Sequence, residues 1–156
     1  MNDSMTIFGA GRRIAAITLP ILVVAIAARW LLGTTLHFPI APYSLMLGTG
    51  IGLIAVGLAL NIVSARFMLK AFGSNRLETR GPYAISRNPM YASFIFLTIP
   101  GLSLALDNWA VLAVSVVLYI AVRVSIAAEE RWLAAKFGDA WYAYAKRVGR
   151  IAPKLW

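Results

Sequence analysis

An all-α membrane helix bundle, with about four transmembrane helices plus a C-terminal cytoplasmic amphipathic helix, is the fold class that three features of this sequence predict. The first is composition: 60% of the 156 residues are hydrophobic and only 13% are charged, against roughly 45–50% and about 25% in soluble domains. A water-soluble globule could not hide that much apolar surface. The second is segmentation into four apolar runs, each close to the roughly 20 residues that carry a helix across a bilayer. The third is the placement of charge. Net charge is +9, yet every Lys and Arg except Arg29 and Arg123 falls before the first run, between the second and third, or after the fourth. The connections near 34–42 and 107–108 carry none. This alternation is the positive-inside pattern for an even number of spans, so both termini are expected to be cytoplasmic in a multi-pass protein of the cell (inner) membrane. It also argues against nucleic acid as the partner of the basic residues, which are expected to meet anionic lipid instead.

Taken in order, the first span is expected over Ile14 to Leu32, with Pro20 inside it and Arg29 snorkelling to the outer interface. Arg12 and Arg13 ahead of this run also fit a cleavable leader, which is the competing reading of the same residues. Tyr43 to Ala65 forms the second span, and its Gly48, Gly50, Gly52 and Gly57 allow close helix packing in lipid. Residues 14–65 thus make an N-terminal helical hairpin. Met90 to Leu106 and Trp109 to Ala128 are the third and fourth spans, joined only by Asp107 and Asn108 in a tight hairpin, with Pro100-Gly101 as a kink site in the third. The length allows a single membrane domain, 1–156, and no large separate soluble one. With no cysteine and one histidine, His37, neither a disulfide framework nor a metal cluster is expected.

The two basic segments carry the chemistry. Gly81-Pro82-Tyr83 and then Arg87-Asn88-Pro89-Met90-Tyr91 precede the third span. Pro89 suits the first helical turn and Asn88 is expected to cap it. A helix start at the membrane surface also offers free amides to an anionic group. After the fourth span, Leu133, Phe137, Trp141, Tyr144 and Val148 form a helical stripe, expected of a helix lying on the membrane or folded over the bundle. Glu129 and Glu130 have no Lys or Arg three or four residues away, so ordinary intrahelical pairing does not account for them. Arg123 lies seven residues before Glu130, on the same helix face and about 10 Å along the axis. A pair between those two is therefore expected.

In this order the Gly-Pro-Tyr, Arg-Asn-Pro-Met-Tyr, membrane hairpin, Glu-Glu, Phe137-Gly138, Trp141-Tyr142-Ala143-Tyr144 and Ile151-Ala152-Pro153 segments resemble the isoprenylcysteine carboxyl methyltransferase and phospholipid methyltransferase superfamily. The resemblance covers residues 66 to 153, and 66–156 is assigned to a cofactor-binding core. It implies a membrane enzyme that moves the methyl group of S-adenosylmethionine to a lipophilic acceptor, carboxylate or amine, arriving from the bilayer. By the same resemblance, Glu129 or Glu130 would hold the cofactor ammonium. Arg87, Asn88 and the amides around Pro89 would meet its carboxylate or ribose, and Tyr83, Tyr91 and Tyr142 would wall the adenine slot. Successive helical positions point about 100° apart, so the two glutamates are given different duties: Glu129 the cofactor and Glu130 the anchoring of Arg123 beside the substrate, with the reverse assignment the alternative. Three departures stand out: Asn88 where the family commonly has histidine, Ser93 where it has glycine, and Gly149 where proline is frequent. Asparagine offers hydrogen bonds but cannot accept a proton at neutral pH. A non-catalytic four-span scaffold or small transporter is the alternative. Transport is disfavoured because no acidic residue falls near the midpoint of a span.

Overall fold

The structure, a computed structural model, describes residues 9–154. Five helices are present among them: α1 (Gly9–Leu32), α2 (Tyr43–Gly73), α3 (Pro89–Ala105), α4 (Trp109–Phe137) and α5 (Asp139–Arg147). Short 3₁₀ turns at Gly33–Leu36 and Gly81–Ala84 interrupt the connections. Three of the helices, α1, α2 and α4, are long and apolar enough to cross a membrane, and α3 is a shorter apolar helix. The chain is a helical membrane protein.

Two helices run past the ends of their apolar segments. α2 has 31 residues, about 46 Å at 1.5 Å per residue, against a hydrocarbon core of about 30 Å. Nothing between Ala65 and Gly73 breaks the helix, so the segment carrying Arg66 and Lys70 continues it. α4 likewise carries Glu129 and Glu130 in one unbroken helix with the span. The chain turns only at Gly138, whose φ of +50° suits glycine. The helical stripe expected after the fourth span is therefore split between the end of α4 and α5.

α4 packs between α1 and α3, and α3 between α4 and α2. Val111, Val114, Leu118, Val122 and Ile126 of α4 form the centre of the core, with Ile14 of α1, Ile95 and Ile99 of α3, and Ile151 of the tail. Two of the α2 glycines make the α2–α3 contact. A Cβ on Gly50 would lie 2.6 Å from the Gly101 carbonyl oxygen, and one on Gly57 would strike Thr98. Gly48 and Gly52 have open space around them. In α3 the turn before Pro100 widens, Phe94–Thr98 taking π-helical geometry with Ile99 N–H bonded to the Phe94 carbonyl. Pro100 has no N–H to continue the ordinary ladder, so the irregularity falls beside it.

At the end away from the basic segments, the α3–α4 hairpin is locked to α1. Asn108 caps α4 by accepting the Ala110 N–H (3.0 Å) and donates to the Ala25 carbonyl (2.9 Å). Asp107 holds a positive φ of +47° and accepts from Phe38 N–H (3.0 Å) and from His37. Arg29 reaches His37 Nε2 (3.3 Å) and the Asp107 carbonyl (3.2 Å). Burial would raise the Asp107 pKa, but these donors outweigh it and hold it below the usual carboxylate range.

Candidate functional site

At the basic end, the last turns of α2, the following loop, the start of α3, the end of α4 and α5 enclose a cleft of about 440 Å³. That volume lies within the range of small-molecule sites, roughly 300–1,000 Å³. Phe72, Tyr83, Tyr91, Phe94, Trp132, Phe137, Trp141 and Tyr144 supply aromatic walls, and Gly11 brings the first turn of α1 to the rim. Arg76, Glu78, Arg87, Glu129 and Lys136 are the charged residues that line it.

The loop before α3 is shaped by glycine and proline and then pinned by the chain's tail. Gly81 takes φ +56° against the Phe67 ring, which a Cβ would approach to 2.7 Å. Pro89 opens α3 as its spacing predicts. Asn88 does not cap that helix with its side chain. Its amide instead donates to the Arg150 carbonyl (2.8 Å), while its own N–H is taken by Ser86 Oγ (3.1 Å). Arg87 N–H donates to the Gly149 carbonyl (2.9 Å), and Ser86 and Gly149 form a single parallel β-bridge. The tail thus competes successfully for a side chain that local sequence would assign to capping. Gly149 itself lies hard against the Ala152 carbonyl, leaving no room for a Cβ. Ser93, the second departure, is buried in α3; its hydroxyl accepts from Asn61 of α2 and donates to the Met90 carbonyl (2.8 Å). A buried hydroxyl in a membrane helix is therefore fully paired.

Glu129 and Glu130 point in different directions. Glu129 lines the cleft, and its Oε1 accepts the Ala10 N–H of α1 at 2.9 Å. The start of a 24-residue helix favours that negative charge. Glu130 turns to two arginines: Arg87 Nη1 at 3.1 Å from its Oε1, and Arg150, which donates Nε to Oε1 (3.1 Å) and Nη2 to Oε2. The Arg87 guanidinium also stacks over Trp141, 5.4 Å from the ring centre. Its Nε is buried with no partner among the described residues. Burial lowers the Arg87 pKa, with Glu130 opposing and the Arg150 cation adding to the fall.

Two tyrosine hydroxyls of the cleft, those of Tyr83 and Tyr144, are held neutral. Burial, with the charge of Glu78, pushes the Tyr83 hydroxyl up to about 12, and burial likewise raises Tyr144. Tyr144 donates its hydroxyl to the Tyr83 carbonyl (2.7 Å), tying α5 to the loop. Burial would raise Glu78 as well, but bonds from the Arg80 side chain and backbone outweigh it and lower its pKa.

Of the residues singled out from sequence, Tyr83, Arg87, Asn88, Pro89, Tyr91 and Glu129 all line one cleft. Glu130 stands behind it through Arg87. Tyr142 is exposed and outside the lining; Trp141 and Tyr144, three apart on α5, face inward instead. Arg123 is exposed on α4 and makes no ion pair among the described residues. The expected Arg123–Glu130 pair is thus replaced by pairs with Arg87 and Arg150. Two helical turns separate Arg123 from Glu130, whereas the loop and the tail bring both other arginines directly to it. Arg150 was missed by sequence reasoning because its partners lie 20 and 62 residues away. Trp141 and Tyr144 carried a signal, the helical stripe, that separates them from Tyr142.

A family profile described as phospholipid methyltransferase matches residues 43–140, more than half of the chain. No curated protein and no solved structure matches it. The match spans α2, α3, α4 and the first residues of α5; α1 and the tail that holds Arg150 fall outside it.

Proposed function

Because the chain belongs to the phospholipid methyltransferase family, a family of membrane methyltransferases, we propose that it transfers the methyl group of S-adenosylmethionine to a lipophilic acceptor, an amine or carboxylate, that arrives from the bilayer. The observation that carries this reading is a pair of opposite charges in one aromatic cleft: Glu129, and Arg87 with a buried, unpartnered Nε. A free donor buried beside an apolar slot costs roughly 1–3 kcal/mol unless a ligand pairs with it. The cofactor has a carboxylate to meet that donor, an ammonium for Glu129 and an adenine for the aromatic walls, so the residues fit it.

In this assignment Arg87 holds the amino-acid carboxylate and Glu129 the ammonium, while Tyr83, Tyr91 and Trp141 enclose the adenine. When bound, S-adenosylmethionine supplies an electrophilic methyl group on a sulfonium that departs as a neutral thioether. The chain supplies position and exclusion of water, which are large contributions for a bimolecular displacement. No covalent intermediate on the protein is required. Asn88 serves as a strut, since its amide is committed to the Arg150 carbonyl. Met68, Phe72 and Phe94 give the cleft an apolar side, and Phe72 and Phe94 are exposed on the outer surface of the bundle. An acyl or prenyl chain reaching the cleft from lipid would lie along them. The basic segments around the cleft support a cytoplasmic location for it and four crossings, with α3 as the third.

The test is equilibrium binding of S-adenosylmethionine to the detergent-purified protein by calorimetry, with Glu129→Ala as the control. Saturable binding that weakens roughly 10- to 100-fold in the variant is expected for loss of one charge-assisted contact. Absence of binding with lipid restored would overturn the reading.

A further inference from the structure

Of the two residues that set Arg87, Glu130 lies within the part of the chain that matches the family and Arg150 lies outside it. Arg87, Glu130 and Arg150 form a plus–minus–plus triad with side chains 13%, 12% and 28% exposed. Glu130 gives both oxygens to Arg150 and shares only Oε1 with Arg87. Arg87 therefore holds Glu130 through one terminal nitrogen, and its Nε has no partner among the described residues while the residue lines the cleft. A fork-to-fork arrangement, the one an Arg and a carboxylate favour when nothing else competes, would commit a second Arg87 nitrogen to Glu130. Arg150 blocks it.

The tail is anchored well enough for this. Val148 and Ile151, on either side of Gly149 and Arg150, are buried in two separate apolar clusters. The carbonyls of Gly149 and Arg150 accept from Arg87 N–H and the Asn88 amide. The triad carries one net positive charge in a half-buried position, and an incoming carboxylate would complete it.

We propose that Arg150 is a positioning residue: by occupying Glu130 it keeps Arg87 directed to the carboxylate of the cofactor's amino-acid end. This rests on the reading of the cleft as the S-adenosylmethionine site. A tail that served folding alone would support every ligand of the cleft equally. A tail that sets Arg87 matters only for ligands that carry the carboxylate.

The experiment compares calorimetric binding of S-adenosylhomocysteine with that of 5′-methylthioadenosine, which lacks the amino-acid end, in the parent protein and in Arg150→Ala, Arg150→Lys and Arg87→Ala. Arg150→Ala should weaken S-adenosylhomocysteine roughly 10- to 100-fold, the range for a charge-assisted contact, and change methylthioadenosine less than about threefold. Arg150→Lys keeps the charge but not the fork; its loss should be intermediate and again confined to the carboxylate ligand, which decides the matter if the alanine variant does not fold. Combining Arg150→Ala with Arg87→Ala should add nothing to the loss from Arg87→Ala alone. Equal weakening of both ligands, or parent-like binding of both, would overturn the inference while leaving the cofactor site intact. If the parent bound neither ligand, the functional reading would fail and this inference with it.

Discussion

Replacing Glu130 by glutamine removes one charge from the triad while preserving shape, and the structure sets the size of the effect. Removing one partner of a fully buried ion pair costs about 3–5 kcal/mol, because the remaining charge is left uncompensated. Here Arg87 is 13% and Arg150 28% exposed, so water takes up part of that cost and about 2–3 kcal/mol is expected. For a chain of this length that corresponds to a fall in Tm of about 4–12 °C. The glutamine can still accept one hydrogen bond through its carbonyl, but its NH₂ group is turned towards one of the two guanidinium groups. Thermal unfolding in a fixed detergent, followed by circular dichroism without ligand, measures the cost. Cofactor affinity should fall as well, because Arg87 loses its anchor. Unfolding within about 0.5 kcal/mol of the parent, the usual range for a neutral surface change, would show that the triad is not holding the loop to α4 and would refute this account of Glu130.

Four other outcomes follow from the same geometry. Gly50→Val should destabilise the bundle by about 1–3 kcal/mol through its clash with the Gly101 backbone, whereas Gly48→Ala, with open space around it, should be neutral or mildly stabilising; denaturation curves of both variants check the contrast. Asn88→Asp replaces a donor to the Arg150 carbonyl with an acceptor and should cost about 1–3 kcal/mol, while Asn88→His can keep a donor and should be tolerated better; unfolding midpoints compare the two. The Tyr83 hydroxyl, raised to about 12 in the fold from the ordinary value near 10, stabilises the protein below pH 10. That contribution is lost as pH rises from about 10 to 12, so Tyr83→Phe should flatten the alkaline fall in stability, and an absorbance titration of the parent that showed every tyrosine ionising near 10 would contradict it. His37→Ala should leave cofactor affinity unchanged, since His37 lies at the opposite end of the bundle, but should lower stability by about 1 kcal/mol through its bond to Asp107; calorimetry and unfolding on one preparation separate the two effects.

Composition and the alternation of charge were enough to determine a helical membrane protein, because both depend on the solvent and not on contacts. Lipid demands long apolar helices, and α1, α2 and α4 supply them, with α3 a shorter apolar helix beside them. The ends of α3 and the hairpin at Asp107-Asn108 were equally legible, since proline, asparagine and short connections act locally. Adjacent glutamates on a helix must diverge by about 100°, so it was legible that Glu129 and Glu130 point in different directions, though not which partners each meets.

Which arginine meets Glu130 was decided only by tertiary structure. Arg123 is its neighbour in helical phase, yet Arg87 and Arg150 arrive from a loop and a tail whose paths no periodicity describes. The same holds for Asn88, a good local cap that donates instead to a carbonyl 62 residues away. It holds too for Ala10, whose amide reaches Glu129 across 119 residues. Sequence patterns record how each segment meets its solvent and its own helix. The partners of a half-buried charge are set by whichever distant segments the packed bundle brings within hydrogen-bond range.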